Sequence, residues 1–342
     1  MKKIPVGILG ATGSVGQKFI ELLAAHPWFE IVSLGASERS QNKPYHQVVN
    51  WFMQTPLPKN IGEMVVQSCK PDFPCQLVFS ALDSSVAGEI EEEFAQAGYI
   101  VVSNSKNNRM RKDVPLLIPE VNPDHLQLTQ KQPYKKGMII TNPNCSVIGL
   151  AMALKPLDDQ FGIESVHVVT LQALSGAGHP GVSSLDIVDN VIPYISDEES
   201  KVETEPLKIL GTMTTQANFR LSAQCNRVCV LDGHLECVSV KFKKKPSKDE
   251  IKKAWTTFKS LPQELELPSA PLNPIHYFEE EKYPQPKLHR NLDKGMAVSI
   301  GRLRDCSLFD YKFVLLSHNT IRGAAGAAIL NAELMLKKGF FS

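Results

Sequence analysis

Apolar positions in the first part of the chain fall in short unbroken runs separated by stretches of helical spacing. Residues 6–9 lead into Gly10-Ala11-Thr12-Gly13-Ser14-Val15-Gly16, after which Phe19, Ile20, Leu22 and Leu23 lie on one helix face. The pattern predicts strand, glycine turn and helix. Strands at 30–34, 76–80 and 99–102, with a helix at 86–97, continue the alternation that builds a parallel α/β sheet. A further strand at 137–141 precedes apolar positions at helical spacing from 148 to 157. Cys145, in Asn142-Pro143-Asn144-Cys145-Ser146, therefore falls near the first turn of a helix.

Beyond Cys145 the texture changes. Runs of strand character at 165–174, 227–230, 236–242, 296–303 and 311–316, interrupted by helices, predict an α+β domain with a mostly antiparallel sheet. Ser247-Lys248-Asp249-Glu250 is a capping box that starts a helix over 251–259 and has a structural role. Residues 260–285, rich in proline and glutamate, read as a surface excursion. Near the end, Gly323, Ala324, Ala325, Gly326, Ala327 and Ala328 precede a leucine-rich amphipathic stretch, and such small residues let a helix pack closely. The expected organisation is a Rossmann-like dinucleotide-binding domain over 1–141, to which the C-terminal helix 318–342 returns. A catalytic and oligomerisation domain over 142–317 completes it. The chain has no internal repeat.

Composition narrows the function. A chain of 342 residues with 43% apolar and 21% charged residues is ordinary for a globular protein. A formal net charge of +1 leaves no broad electrostatic footprint for nucleic acid or an anionic membrane, so small ligands are the expected partners. Seven cysteines without disulfide or zinc spacing fit a reducing compartment and no metal site. The opening residues enter a strand without a long apolar leader, and no apolar run approaches membrane-spanning length. A cytoplasmic protein is expected.

Two motifs carry chemistry. Gly10, Gly13 and Gly16 differ by one inserted position from the commonest dinucleotide fingerprint, yet stand between a strand and a helix as phosphate binding requires. Thr12, Ser14 and Val15 complete that turn. Glycine turns without a ligand share the pattern. After the second strand, Ser37 occupies the place of the acid that holds a ribose 2′-hydroxyl, and Ser40 and Arg39, with Lys43 close by, suit a 2′-phosphate. This favours NADP over NAD, with Glu38 arguing the other way. At Cys145 the helix N-terminus favours an anion and can bring a thiol from about 8.5 into the range of roughly 3.5 to 7.5, so that a thiolate nucleophile is available. The alternative is a buried cysteine serving as a small apolar side chain.

With Gln172-Ala173-Leu174-Ser175-Gly176-Ala177-Gly178, Arg227-Val228-x-Val230-x-x-Gly233-His234 and His318-Asn319-Thr320-x-Arg322-Gly323-Ala324 added, the chain resembles the aspartate-semialdehyde dehydrogenases over nearly its whole length. The archaeal and fungal branch is the most similar. The resemblance implies NADP-dependent interconversion of 4-aspartyl phosphate and L-aspartate 4-semialdehyde through a thioester on Cys145, on the route to lysine, threonine and methionine. It also implies a homodimer or homotetramer. By the same resemblance His234 is the general acid/base and Gln172 orients the substrate. Arg227 grips the α-carboxylate, Glu198 faces the α-ammonium, and Lys201 binds phosphate with Arg109 and Asn144. Arg111 is the alternative to Arg109. Asn319, with Ser175 and Gly176, lies by the nicotinamide in the family, while Asn319 as the cap of the terminal helix is the other reading. Within the superfamily the rivals are a malonyl-CoA-type reductase, for which Glu198 would be dispensable, and an N-acetyl-glutamyl-phosphate reductase, whose cysteine motif differs. Outside it stands an NADP-binding sensor without catalysis, which would need only the nucleotide turn.

Overall fold

The computed structural model describes residues 2–341, which form two compact units. The first comprises Met1–Leu117, Asp124–Asn142 and Ala328–Ser342, and the second Ile118–Pro123 and Pro143–Ala327. Residues 318–327 thus group with the second unit. No helix among the described residues is long and apolar enough to cross a membrane.

The first unit is built on six parallel strands: β1 (Ile4–Leu9), β2 (Phe29–Ala36), β3 (Gln67–Ser68), β4 (Leu77–Ser80), β5 (Ile100–Ser103) and β6 (Met138–Thr141). Their spatial order is β3-β2-β1-β4-β5-β6, and the direction of winding reverses between β1 and β4, where open α/β sheets form their binding crevice. Strands β4 and β5 are buried at every position, as befits a parallel sheet covered on both faces. Helix α1 (Ser14–Leu23) follows the glycine turn, and α2 (Ser84–Gln96) is capped by Asp83, which accepts from the Ser85 N–H. From Ala328 the C-terminal chain belongs to this unit: Asn331 donates to Leu117 O, and Glu333 pairs with His26 at 2.8 Å.

The second unit holds a mixed sheet of β7 (Ile163–Gln172), β8 (Arg220–Arg227), β9 (His234–Phe242), β10 (Ile275–Phe278), β11 (Val298–Asp305) and β12 (Tyr311–Ser317), in the order β10-β11-β12-β9-β7-β8. The three central pairings are antiparallel and the two outer ones parallel. Helix α3 (Cys145–Phe161) packs on β12 at Gly149, where a Cβ would stand 2.7 Å from Ser317 Oγ. Helix α4 (Glu198–Ile209) precedes β8. Helix α5 (Lys248–Thr256) begins at the expected capping box and is tied to α3 by Trp255 Nε1 donating to Ala153 O. The last helix, α6, spans Gly326–Lys337.

Three expectations need correction. The excursion over 260–285 contains β10, a paired edge strand, and buries Leu267 and Ile275; four apolar-leaning residues were hidden in a proline- and glutamate-rich composition. The strand expected at 227–230 lies instead at Arg220–Arg227, where polar residues alternate outward and weaken the apolar signal. Helix α5 ends at Thr256, short of 259.

The turn at 118–123 is secured by Arg322, whose guanidinium makes two bonds of 2.8 and 2.7 Å to the Glu120 carboxylate, both side chains being fully buried. Removing one partner leaves a buried charge uncompensated. Arg322→Met should destabilise the protein by about 3–5 kcal/mol in denaturant unfolding, with much of the loss recovered when Glu120→Gln is added.

Candidate active site

Cys145 is the first residue of α3, and Asn144 is its N-cap, with Oδ1 accepting from the N–H groups of Ser146 (2.9 Å) and Val147 (3.4 Å). The same asparagine donates through Nδ2 to Glu198 Oε1 (2.8 Å) and through its backbone N–H to Glu205 Oε2 (2.7 Å). Opposite Cys145, Gly323 allows the turn over Ile321–Ala325 to close in, since a Cβ there would be 2.8 Å from Cys145 Cβ. The Cys145 Sγ lies 3.1 Å from His234 Nε2.

His234 begins β9 after Gly233, whose φ of +97° suits glycine. It is fully buried, and its Nδ1 accepts from the Ala173 N–H at 3.0 Å. Burial, aided by the charges of Arg227 and His318 and opposed by Glu198, pushes its ring pKa down to about 3. The imidazole is therefore neutral near pH 7.

The parallel register of β7 and β8 sets Gln172 opposite Arg227, each the last residue of its strand. Gln172 Nε2 donates to Glu198 Oε1 (3.0 Å), and Arg227 Nη1 donates to Ala173 O (2.6 Å). Glu198 opens α4, and Lys201, one turn on, donates to its Oε2 at 3.1 Å. Burial alone would raise the Glu198 carboxyl, but the Lys201 charge and the bonds from Asn144, Gln172 and Lys201 outweigh it and hold the carboxyl below its usual range. Cys145, His234, Gln172, Asn144, Glu198, Lys201 and Arg227 thus form one connected constellation in the second unit.

Arg109 lies in the first unit, buried, with Nη2 donating to Asn104 O at 2.7 Å. Arg111 is committed to Asp113 (2.7 Å) and to Glu92. Asn319 does not cap a helix: its Oδ1 accepts from the Gly233 N–H and its Nδ2 donates to Ser175 Oγ, both at 2.8 Å. A Cβ on Gly176 would meet Arg227 Nη1 at 2.8 Å and His234 Cε1 at 3.0 Å, so a larger residue there would displace one of these two side chains.

The nucleotide turn suits a pyrophosphate. Gly10 has φ +76°, and a Cβ on Gly16 would sit 2.2 Å from Gly10 O, so the turn and the first residues of α1 close on each other. At Gly13 a Cβ would meet nothing nearer than Gly10 O at 3.5 Å, and no side chain caps α1. The cradle above the helix start is clear for a phosphate group. Ser37 and Arg39 are exposed just past β2, with Ser40 half-buried.

Three participants escaped the sequence reading. Glu205 shares a helix face with Glu198 and Lys201 at spacings of seven and four residues, a signal that was present. Glu236, two residues after His234, has both carboxylate oxygens buried without a hydrogen-bond partner, and burial raises it well above the usual range. The Ala173 N–H has no sequence signature.

Comparison with known proteins accounts for both units. The semialdehyde dehydrogenase NAD binding domain matches residues 5–129, and the semialdehyde dehydrogenase dimerisation domain matches 154–322. The aspartate-semialdehyde dehydrogenase of Schizosaccharomyces pombe is 51% identical over 350 residues, 98% of each chain. That of Archaeoglobus fulgidus is 50% identical over 341 residues, 97% of this chain and 98% of its own. The crystal structure of aspartate semialdehyde dehydrogenase with NADP from Candida albicans superposes with a TM-score of 0.92 at 45% identity, covering 99% of this chain and all of that one. With both domains matched in order and about half of all positions shared with fungal and archaeal members along its length, the chain belongs to the aspartate-semialdehyde dehydrogenase family.

Proposed function

We propose that this protein catalyses the reversible, NADP-dependent reductive dephosphorylation of 4-aspartyl phosphate to L-aspartate 4-semialdehyde through a thioester on Cys145, in lysine, threonine and methionine biosynthesis. The observation that carries this reading is the 3.1 Å approach of His234 to a cysteine at a helix start, beside an arginine, a carboxylate and a lysine. A substrate with an α-carboxylate, an α-ammonium and a phosphoryl group needs that charge set.

Cys145 attacks the carbonyl carbon, with Gln172 orienting the substrate by an uncharged amide that does not repel a thiolate. Arg227 forks onto the α-carboxylate and Glu198 faces the α-ammonium. Lys201 and Asn144 take the phosphate with Arg109, for which Arg111, bonded to Asp113 and Glu92, is the alternative. The bound nicotinamide supplies hydride exchange with the substrate carbon. Gly10, Thr12, Gly13, Ser14, Val15 and Gly16 would hold the pyrophosphate, Ser37, Arg39 and Ser40 the 2′-phosphate, and Ser175, Gly176 and Asn319 the nicotinamide end. In this reading the first unit carries the dinucleotide. The second carries catalysis and self-association, in a cytoplasmic homodimer or homotetramer.

Purified protein given L-aspartate 4-semialdehyde and NADP should form NADPH only when inorganic phosphate is added, and Cys145→Ala should lower the rate by more than about 10³-fold. Wild type that binds NADP but turns over no semialdehyde would overturn the substrate assignment. Glu198→Gln should reduce kcat/KM for the semialdehyde by roughly 10–100-fold, and an acyl-CoA reductase, whose substrate lacks the α-ammonium, would lose nothing.

His234 also links stability to pH. Its native pKa, about 3, lies below the ordinary 6.5, so below pH 6.5 the unfolded chain takes up a proton that the native ring refuses. The stabilisation is complete above pH 6.5 and is lost as pH falls toward 3. Unfolding measured from roughly pH 6 to 4 should show His234→Asn losing stability less steeply than wild type, by about 1.4 kcal/mol per pH unit.

A further inference from the structure

We propose that Tyr45 and Gln17 are positioning residues for the dinucleotide: they grip the carbonyls of Ala11 and Thr12 and so hold the amides of the glycine turn ready for the pyrophosphate. This deepens the reading above and rests on it for the turn as the pyrophosphate site.

A turn carrying Gly10, Gly13 and Gly16 has little stiffness of its own, because glycine lacks the Cβ that restricts other residues. The structure supplies stiffness from outside. Tyr45, fully buried, donates its hydroxyl to Ala11 O at 2.7 Å. Gln17, early in α1 and also fully buried, donates through Nε2 to Thr12 O at 3.0 Å. In a trans peptide the carbonyl and the N–H that follows it point opposite ways, so each of these bonds also aims an amide. Holding Ala11 O turns the Thr12 N–H away from Tyr45. Holding Thr12 O aims the Gly13 N–H at Gly10 O, 3.1 Å away, which closes the turn. The preceding peptide is fixed as well, by the Ala11 N–H donating to Gly35 O at 2.9 Å. Every peptide plane from Gly10 to Gly13 is thus pinned before α1 begins.

Both side chains are themselves held. Burial pushes the Tyr45 phenol above its usual range, so the hydroxyl keeps the hydrogen it donates. The Tyr45 N–H donates to Met64 O at 2.8 Å, and the Lys43 carbonyl accepts from the Val66 N–H at 3.0 Å, which anchors the grip on the chain that leads into β3 rather than on the turn. Gln17 uses its amide in full: Nε2 also donates to Asn50 O at 3.0 Å, and Oε1 accepts from the Phe52 N–H at 3.2 Å. An ionised glutamate would lose both donors, and a lysine would lose the acceptor.

The consequence is a turn that is ordered before a phosphate arrives, so binding does not have to order it. Ser37, Arg39 and Ser40, proposed for the 2′-phosphate, make none of these bonds to the turn. The two phosphate sites should therefore respond to different substitutions.

Isothermal titration of wild type, Tyr45→Phe, Gln17→Met and Arg39→Ala with NADP and with adenosine 2′-monophosphate, which has no pyrophosphate, separates them. Tyr45→Phe and Gln17→Met should each weaken NADP by roughly 3–10-fold and leave adenosine 2′-monophosphate within about twofold of wild type. Arg39→Ala, the contrast, should weaken both ligands. In the ligand-free protein, hydrogen exchange of the peptide spanning 10–16, read by mass spectrometry, should be about threefold or more faster in Tyr45→Phe. Unchanged NADP affinity in folded Tyr45→Phe would overturn the proposal. Equal weakening of the two ligands would overturn it as well, since that marks a general loss of structure. Should Gln17→Met fail to fold, Tyr45→Phe, which keeps the ring and loses one oxygen, decides the matter. Wild type that binds no NADP would sink the cofactor reading; faster exchange in Tyr45→Phe would then still uphold the grip on the turn, and unchanged exchange would refute it.

Discussion

Asn144 is the residue through which the site is assembled. Its side-chain oxygen caps α3, its amide nitrogen holds Glu198, and its backbone N–H is held by Glu205, so one residue joins the start of the helix that Cys145 opens to two turns of α4. Serine could cap the helix but has no long donor to reach Glu198. Aspartate could also cap, yet would bring a third carboxylate against Glu198 and Glu205. Only an amide supplies an acceptor on one side and a donor on the other without charge. The position of the Cys145 sulfur depends on this double use.

Around that junction the same chemical group is driven in opposite directions by its neighbours. Glu198 and Glu236 are both buried carboxyls, but Glu198 receives three donors and a lysine charge and stays ionised, whereas Glu236 receives none and is pushed up. Cysteines divide likewise. Cys225, enclosed on β8, has its thiol pushed up to about 12 by burial, while Cys145 stands part-exposed at a helix start with its sulfur 3.1 Å from His234 Nε2. A Glu198 carboxyl held below its usual range suits an ammonium group, and burial disfavours a second negative charge at Glu236.

Much of this was legible from local pattern. The glycine turn lay between strand and helix, Cys145 opened a helix, and the Ser247 capping box held, each being a signal carried within about four residues of chain. Two strands were misread where composition masked pairing. Arg220–Arg227 is polar on alternate residues, and Ile275–Phe278 sits within a proline-rich stretch. A strand is stabilised by its ladder partners more than by its own residues, so isolated composition underestimates it.

The amino-acid sequence by itself therefore determined the parallel α/β sheet followed by a mostly antiparallel one, the nucleotide turn, and the placing of a cysteine at the start of a helix, because turn geometry, capping and periodicity depend on near neighbours. What only the tertiary structure decided is which groups meet that cysteine and in what protonation state. Residues 144 and 205, 172 and 198, and 173 and 234 come together through sheet register and helix packing across long loops. A backbone amide such as that of Ala173 looks the same in every residue but proline, so its role becomes visible only when the fold aims it at a ring nitrogen.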